Sequence, residues 1–187
     1  VAIVVDPVSG ALLALAERSA IPGGTRIAAV QTPIEPGSTL KGILFGIALT
    51  NGLDGRESVF CERGEMPLLG GVVRDDHRFG WLSWADVLKF SSNIGAAKLG
   101  HRLGAARLIA GLAAFGLGTA TGIDLPGEGA GFVPTPEWKN ETRSEPWYIG
   151  DTYHVAIGQG DFLATPLQMA QATAIIANGG TRYEPHV

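Results

Sequence analysis

From Ser38 to Thr50 the chain carries a single charged residue, Lys41, in an otherwise largely apolar run. The pattern predicts a helix stopped near Asn51-Gly52, where glycine ends helices readily. A helix apolar nearly all round has no face suited to water, so it belongs at the centre of its fold, with the other elements packed around it. Glu35-Pro36-Gly37 reads as a turn feeding that helix, which sets Ser38 at its entrance. Three helical residues advance a side chain by about 300°, so Ser38 and Lys41 share one face. A lysine held against a serine hydroxyl takes its proton when burial or neighbouring charge disfavours the ammonium. The helix start also favours a developing anion beside the serine. The plainer alternative is a helix-capping serine with a chance lysine three residues on. Against it, no other serine in the chain has a lysine at that spacing.

The remaining elements follow from local signals. Val1–Asp6 and Ala11–Ala16 are β-rich runs joined by Pro7-Val8-Ser9-Gly10, a hairpin signal. Glu17 to Ile34, with Pro22-Gly23-Gly24, reads as a loop, and Asp54 to Gly80 as irregular with short strands near Val59 and Val72. Ser83-Trp84-Ala85-Asp86 caps a short helix ending near Phe90, and further helices are predicted over Ile94–Arg102 and Ala105–Phe115. Gly118 to Pro136 is a loop. Thr165-Pro166-Leu167-Gln168 starts a helix that runs to Ala177 and stops at Asn178-Gly179-Gly180, before an extended segment from Thr181 to Val187. Helices are grouped rather than alternating with strands, so the fold class is α+β, an antiparallel sheet with a helical lobe, in one domain over residues 1–187.

Ser91-Ser92-Asn93 is a second polar group, lying in the break between two helical runs. Ser91 offers a hydroxyl to relay a proton, and Asn93 an amide to hold a carbonyl or the lysine. Taken alone the segment is an N-cap for the next helix; beside Ser38 and Lys41 it becomes part of a candidate site.

Composition narrows the function classes. The net charge of −4 leaves no basic surface to argue for nucleic acid. The one cysteine, Cys61, excludes an internal disulfide and gives no metal cluster. Asp75-Asp76-His77 lacks a second ligand cluster and reads as a solvated loop. No Gly-x-Ser-x-Gly surrounds any serine, and His77, His101, His154 and His186 have no obvious partner, which disfavours a Ser-His-Asp hydrolase. Gly127-Glu128-Gly129-Ala130-Gly131 lacks the setting of a nucleotide loop. Trp81, Trp84, Trp138 and Trp147 are read as mostly core; Trp147 and Tyr148 lie in a loop where a substrate-cleft lining is the alternative to packing, and packing is the expectation. No apolar run is long enough to span a bilayer, and Val1–Asp6 is a strand rather than the charged start of a signal peptide. Without an initiating methionine the chain is expected to be a piece of a longer protein.

Ser-x-x-Lys followed by Ser-x-Asn is the motif order of penicillin-binding proteins and serine β-lactamases. The wider sequence resembles class B penicillin-binding proteins, the monofunctional transpeptidases. The resemblance runs through Val4-Val5-Asp6-Pro7, Glu35-Pro36-Gly37-Ser38-Thr39-Leu40-Lys41, Asp76-His77, Gly80-Trp81-Leu82, Ser91-Ser92-Asn93-Ile94-Gly95, Gly158-Gln159-Gly160 and Thr165-Pro166-Leu167-Gln168-Met169-Ala170. It implies a penicillin-binding transpeptidase-like fold and a cross-linking reaction through a seryl acyl-enzyme. It implies Ser38 as nucleophile, Lys41 as base, Ser91 as proton shuttle, and Asn93 as the group orienting Lys41 and the substrate. Ser38 and Asn93 would also bind substrate, and the N–H of Ser38 would give half of an oxyanion hole. The implied partners are peptidoglycan stem peptides, β-lactam antibiotics, and cell-wall glycosyltransferase, divisome or elongation proteins. The resemblance implies no cofactor, no metal and no nucleic acid, and a place on the periplasmic face of the inner membrane.

The sequence departs from the family chiefly in its third motif. None of Lys41, Lys89, Lys98 and Lys139 is followed by Ser/Thr-Gly, so the family's third motif is absent. The resemblance sets that strand after the helix begun by Thr165, and the chain is expected to stop short of it. Two shorter departures are the brief segment from Ala16 to Val30 and Leu40 in place of the usual phenylalanine. A serine β-lactamase or β-lactam sensor shares the first two motifs, but no Glu-x-x-Leu-Asn segment is present; Glu137-Trp138-Lys139-Asn140 does not fit it. A catalytically degenerate cell-wall scaffold is the non-enzymatic alternative, and it needs none of Ser38, Lys41, Ser91 and Asn93 together.

Overall fold

The computed structural model describes residues 1–18, 27–68 and 71–187. The chain opens with a hairpin of β1 (Ala2–Val5) and β2 (Leu12–Ala16), then a short helix α1 (Ala28–Gln31). A 3-10 turn (Gly37–Leu40) runs straight into α2 (Lys41–Thr50), followed by β3 (Ser58–Phe60), β4 (Glu65–Leu68), β5 (Gly71–Arg74) and β6 (Trp81–Ser83). Helices α3 (Trp84–Lys89), α4 (Asn93–Leu103), α5 (Ala105–Ala114), α6 (Pro136–Arg143), α7 (Ile149–Ala156) and α8 (Pro166–Ala177) complete the chain. By internal contacts it forms two compact units, one of residues 1–36, 112–133 and 161–187, the other of residues 37–111 and 134–160.

In the first unit β1 and β2 pair antiparallel, with Ile3 opposite Leu15 and Val4 opposite Ala14. The expected turn closes them. Asp6 accepts from the Val8 N–H and the Ser9 hydroxyl, and Gly10 takes φ +85°, a conformation that costs glycine little. The inward faces of the hairpin, Ile3, Val5, Leu12 and Leu15, pack on a core of Ala29, Val30, Ile123 and Leu167. Helix α8 begins as the sequence predicts. Thr165 accepts from the Gln168 N–H at 3.1 Å, and Gln168 returns a carboxamide oxygen to the Thr165 N–H at 2.8 Å. The segment expected to be a loop from Glu17 to Ile34 instead contains α1. Its first N–H groups are met by the Glu17 carboxylate, eleven and twelve residues back, a non-local cap with no local signature. The Pro22-Gly23-Gly24 turn lies outside the described residues.

The second unit is built around α2, as its composition demands: Ile43, Leu44 and Ile47 are buried, and with them Lys41. Helices α3 and α4 pack against it, and α4 lies along α7. Glycines allow these approaches. A Cβ on Gly100 of α4 would sit 2.5 Å from the Ala156 Cβ of α7, and one on Gly95 would sit 2.5 Å from the Val87 methyls of α3. The short strands expected near Val59 and Val72 are β3 and β5, and each finds an antiparallel partner that was not expected. β3 pairs with β6, and β4 with β5. Helices α6 and α7 also lie where no helix was predicted. α6 opens on the Thr-Pro signal used by α8, with Thr135 accepting from the Trp138 N–H, but its polar sequence shows no apolar stripe. The strands and helices together give the α+β class, with the sheet content divided, among the described residues, into three two-stranded antiparallel ladders.

Candidate active site

Ser38 sits in a 3-10 turn rather than in the first turn of an α-helix. The tighter winding eclipses residues three apart, so the serine hydroxyl and the lysine amine come together directly. Lys41 Nζ lies 3.0 Å from Ser38 Oγ. The turn is held from outside: the Gly37 N–H donates to the Gly158 carbonyl at 2.8 Å.

Lys41 is 1 % exposed, whereas Ser38 and Ser91 are exposed. Its amine lies 2.6 Å from the Ser91 carbonyl, 3.0 Å from the Ser91 hydroxyl and 2.6 Å from Asn93 Oδ1. Ser91 reaches it twice because its backbone is left-handed, with φ +56°, an uncommon conformation for a residue with a side chain. Burial pushes the Lys41 ammonium down to about 8, against the pull of the Asp75 and Asp76 charges, which favour the protonated form. At pH 7 roughly a tenth of the molecules then hold a neutral amine. That amine has two N–H bonds for the Ser91 carbonyl and Asn93 Oδ1, and one lone pair left for a hydroxyl. Among the described residues, the hydroxyls of Ser38 and Ser91 are the ones hydrogen-bonded to it.

Asn93 is oriented from both ends. Its Nδ2 donates to the Arg74 carbonyl at 2.8 Å while Oδ1 faces Lys41. Its backbone starts α4, whose first N–H groups are capped twice. Ser92 Oγ accepts from the Gly95 N–H at 2.9 Å, and Asp75 accepts from the N–H groups of Asn93 and, at 3.1 Å, Ile94. Ser92 also donates to the second Asp75 oxygen at 2.7 Å. The structure therefore corrects the reading of Asp75 as part of a solvated loop. It is a half-buried cap that positions Asn93, while Asp76 and His77 are exposed. The only sequence signal was a carboxylate lying upstream of a helix start, with nothing in the spacing to tie the two.

Ser38, Lys41, Ser91 and Asn93, chosen from sequence alone, thus meet at one amine. Trp147 donates its indole N–H to Thr152 Oγ1 at 2.8 Å, consistent with its assignment to packing. A nucleophile, a buried amine of lowered basicity, a second hydroxyl and an oriented amide form the set that acyl transfer through a serine requires.

Comparison with known proteins agrees. The chain is 37% identical over 167 residues to the peptidoglycan D,D-transpeptidase MrdA of Acinetobacter baumannii, covering 85% of this chain and 24% of that protein. Its fold superposes on Pseudomonas aeruginosa PBP2, solved in complex with WCK 5153, with a TM-score of 0.88 at 29% identity, over 98% of this chain and 46% of that one. PBP2 of Helicobacter pylori, solved as a complex with MreC, gives a TM-score of 0.78 at 28% identity over 86% of this chain and 31% of that one. The chain spans about a quarter of the length of the curated relatives it matches. The family model for the penicillin-binding protein transpeptidase domain matches residues 1–187, and the chain belongs to that family.

Proposed function

We propose that this chain carries the acyl-transfer centre of a peptidoglycan D,D-transpeptidase, within one transpeptidase-like domain over residues 1–187. The observation that supports it best is the contact set of Lys41 Nζ, which gathers Ser38, Ser91 and Asn93 around one buried amine. Neutral Lys41 accepts the Ser38 proton as Oγ attacks the carbonyl of the penultimate D-Ala of a stem peptide. The oxyanion is met by the Ser38 N–H; such a donor contributes about 3–4 kcal/mol to the transition state. The tetrahedral centre collapses, the bond to the terminal D-Ala nitrogen breaks, and the proton passes through Ser91 Oγ to that leaving amine. An amine of a neighbouring strand then attacks the ester, loses its proton to the same relay, and leaves Ser38 free. The product is a cross-link. β-Lactams acylate Ser38 by the same route, and the strained amide that opens has no departing amine to make room for an acceptor.

The longer protein is read as acting on the periplasmic face of the inner membrane. No helix among the described residues is long and apolar enough to cross a membrane, so an anchor would lie elsewhere in that protein. The Helicobacter pylori complex supports a partner from the cell-wall elongation or division machinery.

Intact-protein mass after incubation with benzylpenicillin tests the reading, with Ser38→Ala as control. A stable adduct absent from the variant is the expected result. No adduct on the unmodified chain would overturn it, and rapid loss of the adduct would point to a β-lactamase instead.

A further inference from the structure

We propose that an exposed strip of aromatic rings running outward from Ser91 is a binding surface for the glycan that carries the stem peptide, a polymer of N-acetylated amino-sugar pyranoses. The inference rests on the transpeptidase reading above and adds the carbohydrate part of the substrate to it.

The strip belongs to the second unit. Its inner end is Phe90, the residue before Ser91, whose hydroxyl and carbonyl both reach Lys41. Phe90 is 46 % exposed and stacks on Phe79, with ring centroids 5.7 Å apart. Two residues beyond Phe79 stands Trp81 of β6, which meets Phe60 of β3 across the ladder, with centroids 5.5 Å apart. Sequence alone assigns Trp81 to the core, yet it is 72 % exposed. Strand alternation is the reason. Val59 and Leu82, opposite each other, take the sheltered face of the ladder, which turns Phe60 and Trp81 outward. Large rings gathered in water mark an interaction surface.

Two features select a sugar. The first is the pattern of the strip, flat ring faces bordered by hydrogen-bonding groups. Ser58 shares the outer face with Phe60, His77 stands edge-on to Phe79 at 5.9 Å, and Lys89 Nζ lies 5.0 Å from the centre of the Phe90 ring. A pyranose repeats that pattern, with C–H groups on its face and hydroxyl and acetamido groups at its rim. The electron-rich ring faces attract the C–H groups, and the ammonium and imidazole can donate to acetamido oxygens. An apolar helix of a partner protein would instead bury those polar groups without partners. The second feature is reach. Ser38 and Ser91 both lie 3.0 Å from Lys41 Nζ, so the donor carbonyl sits beside the inner end of the strip. Four stem residues separate that carbonyl from the sugar, and extended they span at most about 14 Å. The two ring pairs are joined through Phe79-Gly80-Trp81, whose outer Cα atoms are at most about 7 Å apart, so the strip covers a similar length.

The test uses a peptide-free tetrasaccharide of alternating N-acetylglucosamine and N-acetylmuramic acid. It is titrated into the protein after benzylpenicillin has acylated Ser38, and binding is followed by calorimetry and by the NMR signal of the Trp81 indole N–H. Saturable binding that moves this signal is the expected result. Trp81→Ser and Phe60→Ser should each weaken binding about tenfold or more, the scale of losing one large ring contact, and Trp81→Tyr, which keeps a ring, should retain most of it. Both positions are exposed and outside the contact set of Lys41, so acylation by benzylpenicillin should stay within twofold of the unsubstituted rate and shows that the variants are folded. No binding, or binding that both serine variants leave unchanged, would overturn the proposal, while the adduct on Ser38 leaves the transpeptidase reading standing. A dimer in solution that Trp81→Ser dissociates would also overturn it and assign the strip to a second copy of this chain. Equal binding of maltotetraose, which lacks acetamido groups, would overturn the choice of amino sugars. Failure of benzylpenicillin to acylate would overturn the transpeptidase reading and the proposal with it.

Discussion

The carbonyl oxygen of Gly158 accepts from the N–H of Gly37 at 2.8 Å, one residue before the candidate nucleophile. Gly158 has φ +74°, and a Cβ there would lie 2.2 Å from the Gly37 oxygen. A side chain at this position must push the serine turn away. Gly158→Ala is therefore expected to slow acylation of Ser38 by benzylpenicillin by about 100-fold, since displacements near 1 Å cost that much in a preorganised site. Second-order acylation rates on the two proteins check it; a rate within twofold would show that the turn needs no such tie.

The lowered basicity of Lys41 sets a pH profile. Only the neutral amine can accept the serine proton, and its fraction rises with pH until the value of about 8 is passed. Acylation should therefore climb roughly tenfold per pH unit below that value and level off above it. Rates with benzylpenicillin between pH 5.5 and about 9.5 test this, and a flat profile would remove Lys41 as base.

Asp75 affects that profile at a distance. Its negative charge favours the lysine ammonium, so replacing it by a neutral residue lets burial act with less opposition. In Asp75→Asn the midpoint should move below about 8. The same change weakens the cap on α4, at a cost of about 1–3 kcal/mol in stability. Urea unfolding together with the pH–rate midpoint separates the electrostatic effect from the structural one, and a midpoint moving upward would contradict it.

Gln168 is fully buried, and its Nε2 donates to the carbonyls of Thr119 and Ala130, each at 2.7 Å. Gln168→Leu leaves both carbonyls and the Thr165 N–H without partners. The expected loss is about 3 kcal/mol or more, at 1–3 kcal/mol for each orphaned group. Denaturant unfolding measures it; a loss below about 1 kcal/mol would mean that water replaces the amide.

Much of the fold was legible where the signal is local. The β1–β2 hairpin, α2, α3, α4, α5 and α8 each carry their own turn, cap or apolar pattern within a few residues. Helix α6 was not legible, because its Thr135-Pro136 start precedes a polar sequence with no face to bury. Short strands near Val59 and Val72 were read from the sequence and are β3 and β5, but their partners β6 and β4 escaped for another reason. Strands of three or four residues carry too little alternation to stand out, and β3 finds its partner beyond an intervening hairpin.

The candidate site divides along the same line. Sequence alone determined the spacing of Ser38 and Lys41 and the polar break at Ser91–Asn93, because those relations span one helical turn or one cap. Tertiary structure decided that both groups meet at a single amine. It also decided that Asp75 caps α4 from seventeen and more residues away, that Gly158 restrains Gly37, and that Ser91 turns left-handed to aim its carbonyl and hydroxyl at Lys41. Contacts between distant segments depend on how the whole unit packs, and no window of sequence contains that packing.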